Sequence, residues 1–261
     1  MQLGLTNKTV LITGASRGIG LAAAEGFAAE GCALQLVARS GEALAQARAA
    51  LSASYGVNVD TFAIDLREPG AIAAVAERFG DADILVNNAG DIPHGTLLEI
   101  DAQRWRQAWD LKVYGYIDLT RALYERMCAR RSGVVVNVIG MAGGEGVVPE
   151  YIAGSAGNAA LHAFTRALGA LSPEHGVRVA GVHPGMIATD RQITRWRQRA
   201  VDAFGDAQRW RELTTHLPFG RIAEPREVAN ALVFLASDAA SYISGATLTV
   251  DGGFSQRRGA K

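Results

Sequence analysis

Residues Val10-Leu11-Ile12-Thr13-Gly14-Ala15-Ser16-Arg17-Gly18-Ile19-Gly20 run from an apolar strand into a glycine-rich turn, and the alanine-rich stretch Leu21 to Glu30 then reads as a helix. Glycines at 14, 18 and 20 let the backbone enter the helix abruptly and approach a ligand closely, and the free N–H groups of a helix start favour phosphate. The spacing is Gly-x-x-x-Gly-x-Gly rather than the commoner Gly-x-Gly-x-x-Gly, but the physical job is the same. The stretch therefore predicts a dinucleotide pyrophosphate cradle formed by Gly14, Ser16, Arg17, Gly18, Ile19 and Gly20. A tight strand-to-helix turn without a ligand is the blander reading of the glycine spacing alone.

The rest of the chain reads as βα units. Ala33 to Ala38 is a second buried strand, Gly41 to Ser54 a helix, Val57 to Ile64 a third strand, Ala71 to Phe79 a helix and Ile84-Leu85-Val86 a short apolar strand. Strands alternating with helices at this interval predict a doubly wound α/β fold, a parallel sheet of about seven strands flanked by helices. At 261 residues one such domain, residues 1–261, accounts for the whole chain. Basic and acidic residues balance at 26 each, which gives no electrostatic reason to expect nucleic acid or an anionic membrane as partner. Cys32 and Cys128 have no paired spacing, no run approaches a membrane span and Met1 to Asn7 lacks a leader pattern. The expectation is a metal-free protein of the cytoplasm with reduced thiols.

The strand ends carry the chemistry. The second strand ends at Arg39, where an acidic residue would bind the ribose 2′-OH and a guanidinium suits a 2′-phosphate. Arg39 with Arg17 therefore favours NADP(H), with NAD(H) the alternative; stacking of Arg39 on adenine would serve either. Asp65-Leu66, at the third strand end, is the expected adenine contact. The fourth strand stops at Asn87-Asn88-Ala89-Gly90.

With these residues in place the chain resembles the classical short-chain dehydrogenase/reductase family. Thr13 to Gly20 is similar to its cofactor turn and Asn87 to Gly90 to its Asn-Asn-Ala-Gly motif. Tyr151, the Pro184-Gly185 turn with Thr189 after strand Val177 to Val182, and Tyr242-Ile243-Ser244-Gly245 through Val250-Asp251-Gly252-Gly253 extend the resemblance to the C-terminus. It implies a single Rossmann-like domain that moves hydride between nicotinamide and a carbonyl or alcohol carbon. It further assigns cofactor contacts to Asn88, Ala89, Gly90, Pro184, Gly185, Ile187 and Thr189.

The family's catalytic set, an Asn, a Ser, a Tyr and a Lys, is only partly present. Tyr151-Ile152-Ala153-Gly154-Ser155 aligns with Tyr-x-x-x-Lys, which puts Ser155 at the lysine position; Gly140 stands at the serine position and Lys112 at the asparagine position. A phenol of pKa near 10 needs a nearby cation to work as a base. The resemblance sets the Asn-bearing helix, within Trp105 to Arg130, beside the Tyr-bearing helix, expected over Tyr151 to Leu171. An exchange follows as the expectation: Lys112 reaches into the space left by Ser155 and lowers the pKa of Tyr151, while Ser155 supplies a hydroxyl. Asn158 reads as a packing or water-network residue. The alternatives are a nucleotide-binding member without redox turnover, as a sensor or inactive partner subunit, and a lyase-like member that uses Tyr151 without hydride transfer.

On the substrate side, Asp91 to Gly95 with His94 follows the nicotinamide-side motif, and 187–217 is the expected variable substrate lid. Within it Arg191, Arg195 and Arg199 recur every four residues on one helix face. Such a face suits an anionic group of a carbonyl or alcohol substrate, or else pairs with nearby acids such as Asp202 and Asp206. The small residues Ala156, Gly157, Ala159, Ala160, Ala163 and Ala167 read as a helix seam, and the resemblance implies a homotetramer or homodimer built through it.

Overall fold

A computed structural model of the chain describes residues 2–144 and 146–257; Met1, Glu145 and residues 258–261 of the expected 1–261 domain lie outside them. Strands β1 (Thr9–Thr13), β2 (Ala33–Ala38), β3 (Val59–Ala63), β4 (Ile84–Asn87), β5 (Gly133–Val138), β6 (Val177–Pro184) and β7 (Thr247–Val250) form one seven-stranded sheet in the order β3-β2-β1-β4-β5-β6-β7. All six pairings are parallel. The order reverses between β1 and β4, and at such a switch point the connecting loops diverge and leave a crevice outside the carboxyl ends of the strands. The third strand begins at Val59 rather than the expected Val57.

The helices are α1 (Gly18–Ala29), α2 (Gly41–Tyr55), α3 (Ala71–Phe79), α4 (Ala102–Trp109), α5 (Gly115–Arg130), α6 (Ile152–Leu171), α7 (Asp190–Phe204) and α8 (Pro225–Ala236). Alternation along β1 sends Val10 and Ile12 into one core with Ala23, Phe27, Leu44, Val228 and Leu232, and sends Leu11 into the other with Val75, Phe79, Leu119 and Leu123. The sheet is thus apolar on both faces and covered on both, which is why its strands read as continuous hydrophobic runs. No helix among the described residues is long and apolar enough to cross a membrane.

Helix starts differ in a way that matters for the site. Ser40 caps α2 by accepting from the Ala43 N–H, Asp101 caps α4 from Arg104, and α8 opens with Pro225 inside a Glu224 and Glu227 capping box. Helix α1 has no side-chain cap and no acid in its first turn. Its N–H groups remain available to a ligand.

Two helices depart from the expected continuous runs. Between α4 and α5 the chain widens into a π-helical turn, Asp110–Tyr114, with Lys112 at its centre; such bulges re-aim a side chain within a helix. Tyr151 is not a helical residue but the N-cap of α6, with φ −139° and ψ 40°.

Candidate active site

The glycine turn is pressed against the end of β4. Gly14 and Gly18 have φ of +66° and +59°, where only glycine is unstrained. A Cβ at Gly14 would lie 3.0 Å from the Ala89 Cα and from the Asn88 amide nitrogen. Asn88 Nδ2 donates to the carbonyls of Thr13 (3.0 Å) and Gly14 (3.2 Å), and the N–H groups of Asn88 and Ala89 donate to Thr13 Oγ1 at 3.0 and 3.1 Å. Arg17, extended and exposed, is the N-cap of α1, followed by Gly18, Ile19 and Gly20 in the first helical turn. From the other side Thr189, N-cap of α7, approaches so closely that a methyl on Gly18 would meet its Cγ2 at 3.1 Å. Gly185 is packed equally tightly, a Cβ there lying 2.6 Å from that of Asp251, while Ile187 is buried. The cradle has room for backbone and ligand but not for side chains, and its uncapped N–H groups suit an anion.

At the outer strands Arg39 is exposed at the end of β2, and its charge helps hold Asp65 below the usual carboxylate range. The larger cause is Arg67, whose guanidinium takes both Asp65 oxygens, at 3.0 Å for Nε to Oδ1 and 2.5 Å for Nη2 to Oδ2. Asp65, expected as an adenine contact, therefore has its carboxylate engaged by a residue two positions on. Leu66 places its side chain in the core with Val37 and Val75. Arg67 was not singled out by sequence; its signal was the carboxylate at i−2.

A buried polar thread fixes the floor. Asn87 Nδ2 donates to Thr120 Oγ1 and to Asn137 Oδ1, both at 2.9 Å, and Asn137 Nδ2 donates to Thr165 Oγ1 at 2.9 Å. These bonds join β4, β5, α5 and α6. In the next layer the Ile139 N–H donates to Val182 and that of Met141 to Pro184. The intervening ladder bond, from position 184 to the Ile139 carbonyl, cannot form because proline has no N–H. Lys112 Nζ donates to that carbonyl at 2.5 Å, and Tyr116, one turn later, donates to the Val138 carbonyl at 3.1 Å. The Lys112 stem passes Gly90, whose added Cβ would meet its Cδ at 3.2 Å. Burial, with the charge of Arg191, pulls the Lys112 pKa down to about 8.

The Tyr151 ring lies over Gly154, where a side chain would collide with it, and against His94 at 4.5 Å between centroids. Burial raises the Tyr151 pKa, opposed by the charges of Arg191 and Arg195. The expectation that Lys112 and Ser155 meet at the phenol is corrected in its geometry. Ser155 Oγ lies between the N–H and carbonyl of Val148, at 3.3 and 3.4 Å, and no hydrogen bond joins Lys112 to Ser155 or Tyr151 among the described residues. Gly140 has φ +122°, and a Cβ there would lie 2.8 Å from Asn158 Nδ2, which donates to the Ala142 carbonyl at 2.7 Å. Asn158 thus fills the space that a side chain at 140 would need. Behind it His183 Nδ1 is 2.7 Å from the Gly140 carbonyl, and its Nε2 is 2.9 Å from His162 Nδ1. Neither histidine was marked by spacing, since they come from β6 and α6.

The lid contains α7 and a 3-10 segment, Ala207–Thr214. Arg191, Arg195 and Arg199 do not pair with Asp202 or Asp206: Asp202 accepts from Gln198 and Asp206 caps the 3-10 segment. Arg191 instead crosses to Asp91, Nη1 to Oδ1 at 2.7 Å, and Arg104 takes the other oxygen at 3.1 Å. Burial first, then Arg195, Arg191 and Arg199, holds His94 below its usual pKa and so neutral at pH 7. Of the small residues on α6, Gly157 is used within the chain, facing Val113 and Trp109, whereas the five alanines are exposed. No cluster of three metal-ligating side chains occurs among the described residues.

A doubly wound sheet with a glycine cradle at its switch point, an Asn-Asn-Ala-Gly strand end and a partly buried tyrosine at a helix N-cap defines a nucleotide-dependent oxidoreductase fold. The family model described as enoyl-(acyl carrier protein) reductase matches residues 14–255, and the chain belongs to the short-chain dehydrogenase/reductase family, oxidoreductases that act on CH–OH and C=O groups with NAD(P). It is 38% identical over 244 residues to galactitol 2-dehydrogenase (L-tagatose-forming) of Cereibacter sphaeroides, covering 93% of each chain. It is 35% identical over 257 residues to the 3-oxoacyl-[acyl-carrier-protein] reductase FabG of Escherichia coli K12, covering 96% of this chain and 98% of that one. Among solved structures, L-sorbose reductase from Gluconobacter frateurii, complexed with NADPH and L-sorbose, superposes with a TM-score of 0.91 at 36% identity, over 99% of this chain and all of that one. These relatives lend no support to the reading without hydride transfer.

Proposed function

We propose that the protein is an NADP(H)-dependent carbonyl reductase or alcohol dehydrogenase in which Tyr151 is the acid/base. The observation that carries the reading is a partly buried phenol at the α6 N-cap together with a glycine cradle that excludes side chains and leaves helix N–H groups open. The NADPH bound in the sorbose reductase supports the cofactor choice. Gly14, Ser16, Gly18, Ile19 and Gly20 would hold the pyrophosphate, Arg17 and Arg39 the 2′-phosphate, and Asn88 to Gly90 with Pro184 to Thr189 the nicotinamide side. When bound, the cofactor supplies or accepts the hydride.

In the reductive direction the Tyr151 hydroxyl protonates the oxygen of the carbonyl as its carbon takes the hydride; in the oxidative direction the phenolate removes the alcohol proton. Lys112 keeps a positive charge at the β5 end, where it is bonded to the Ile139 carbonyl, and acts on the site through that charge. Ser155 positions the loop at Val148 rather than touching substrate. The exposed alanine face of α6 is where a second copy docks, in a homodimer or homotetramer. The test is NADPH binding by fluorescence, followed by oxidation against carbonyl acceptors: Tyr151→Phe should bind NADPH as the parent does and lose turnover. Binding without turnover in the parent itself would instead favour the sensor reading.

A further inference from the structure

The charges of Arg191 and Arg195 on α7 act on Tyr151, and with Arg199 on His94, and these three cations are unequally compensated. Arg191 and Arg104 divide the two oxygens of Asp91 between them, so that carboxylate is fully used. Arg199, on the exposed side, lies over the Trp196 ring at 5.0 Å. Arg195 is half-buried, and among the described residues no carboxylate lies within ion-pair distance of it. A guanidinium withdrawn from water without an anion is costly, and an incoming anion removes that cost.

Its place is set by contact rather than by sequence. His94 stacks on Tyr151 at 4.5 Å and follows Asp91 by three residues, while Asp91 is bonded to Arg191, one helical turn from Arg195. The charge of Arg195 acts on both the Tyr151 phenol and His94, so an anion that neutralises Arg195 lies near the phenol. A guanidinium fork matches the planar, two-oxygen carboxylate, and the cluster already shows that match in Asp91, which takes one guanidinium on each oxygen. Resting on the functional reading above, we infer that this site takes an oxo- or hydroxy-carboxylic acid, with Arg195 binding the substrate carboxylate beside the His94 ring that packs on Tyr151.

The experiment uses the full-length protein with NADPH and a matched set of probes: unbranched 2-oxo and 3-oxo acids and their amides, so that each pair differs only in charge. The acids should be reduced with kcat/KM at least about tenfold above their amides, the difference residing in KM. In Arg195→Gln the preference should collapse while NADPH binding is unchanged, and Arg195→Lys should restore part of it. Arg197→Gln, on the opposite side of α7, should keep the preference. Equal rates for acid and amide in the parent would overturn the inference, as would an Arg195→Gln loss shared equally by both, which would mark a guanidinium acting on the phenol instead. Reduction of neutral carbonyls alone would overturn it while leaving the functional reading intact. NADPH binding with no carbonyl reduced at all would overturn both.

Discussion

The two walls of the crevice are built from different materials. On the cofactor wall the working parts are main chain: glycines at φ +66° and +59°, an uncapped helix start, and carbonyls tied to the Asn88 amide. On the reactive wall they are long side chains from separate elements, Lys112 from a π turn, Tyr151 from an N-cap, His94 from a loop and Arg191 and Arg195 from α7. A main-chain device admits almost no substitution, because the space a Cβ needs is already taken. A side-chain device can be rebuilt, because a charge can reach the same region from another backbone position. The alteration expected from the sequence at 112, 140 and 155 would fall on the wall where alteration is physically cheap.

The comparison is broken most severely at its single irreplaceable side chain. Tyr151→Phe should lower kcat by roughly 10²–10⁴-fold, the range for losing a general acid, with NADPH affinity unchanged; steady-state rates and a fluorescence titration decide it. Residual turnover near the parent's would mean that the reactive wall carries its acid elsewhere. On the other wall Gly14→Ala forces a side chain into a left-handed conformation and against Asn88 and Ala89. At about 1–3 kcal/mol of strain, NADPH affinity should fall by roughly tenfold or more, with the rate at saturating cofactor retained.

This difference also explains what could be read in advance. The glycine turn, the alternation of strands and helices and the Asn-Asn-Ala-Gly strand end were legible because each is a local device whose glycines or apolar runs announce it. The exchange expected at 112, 140 and 155 carries no signal in the sequence for the bonds these residues make. Lys112 goes to the Ile139 carbonyl because Pro184, on another strand, has no N–H to give, and Asn158 fills the space above Gly140. Asp91 meets Arg191 across 100 residues of sequence, and no periodicity reports such a contact.

A smaller effect sharpens the role of Lys112. Its folded-state pKa, about 8, lies below the ordinary 10.5. Below pH 8 both folded and unfolded chains carry the charge and the burial penalty is complete; between about 8 and 10.5 the unfolded chain binds more protons, so parent stability should rise with pH relative to Lys112→Met. Urea denaturation of both proteins across that window measures it. In activity, Lys112→Met should lower kcat by about tenfold and remove a transition near pH 8; an unchanged rate and profile would reduce Lys112 to a strut for β5.

The smallest expected change separates holding from reacting at Ser155. Ser155→Ala removes a hydroxyl shared between the Val148 N–H and carbonyl, and a loop bond of that kind is worth about 1 kcal/mol. Stability should drop by that amount in denaturant titration, while kcat, KM and the pH profile stay within about twofold, because no proton passes through Ser155 on this reading. A loss of kcat without loss of stability would place that hydroxyl among the reacting groups. The reactive wall would then contain two relocated functions, a cation from the π turn and a donor from α6, instead of one.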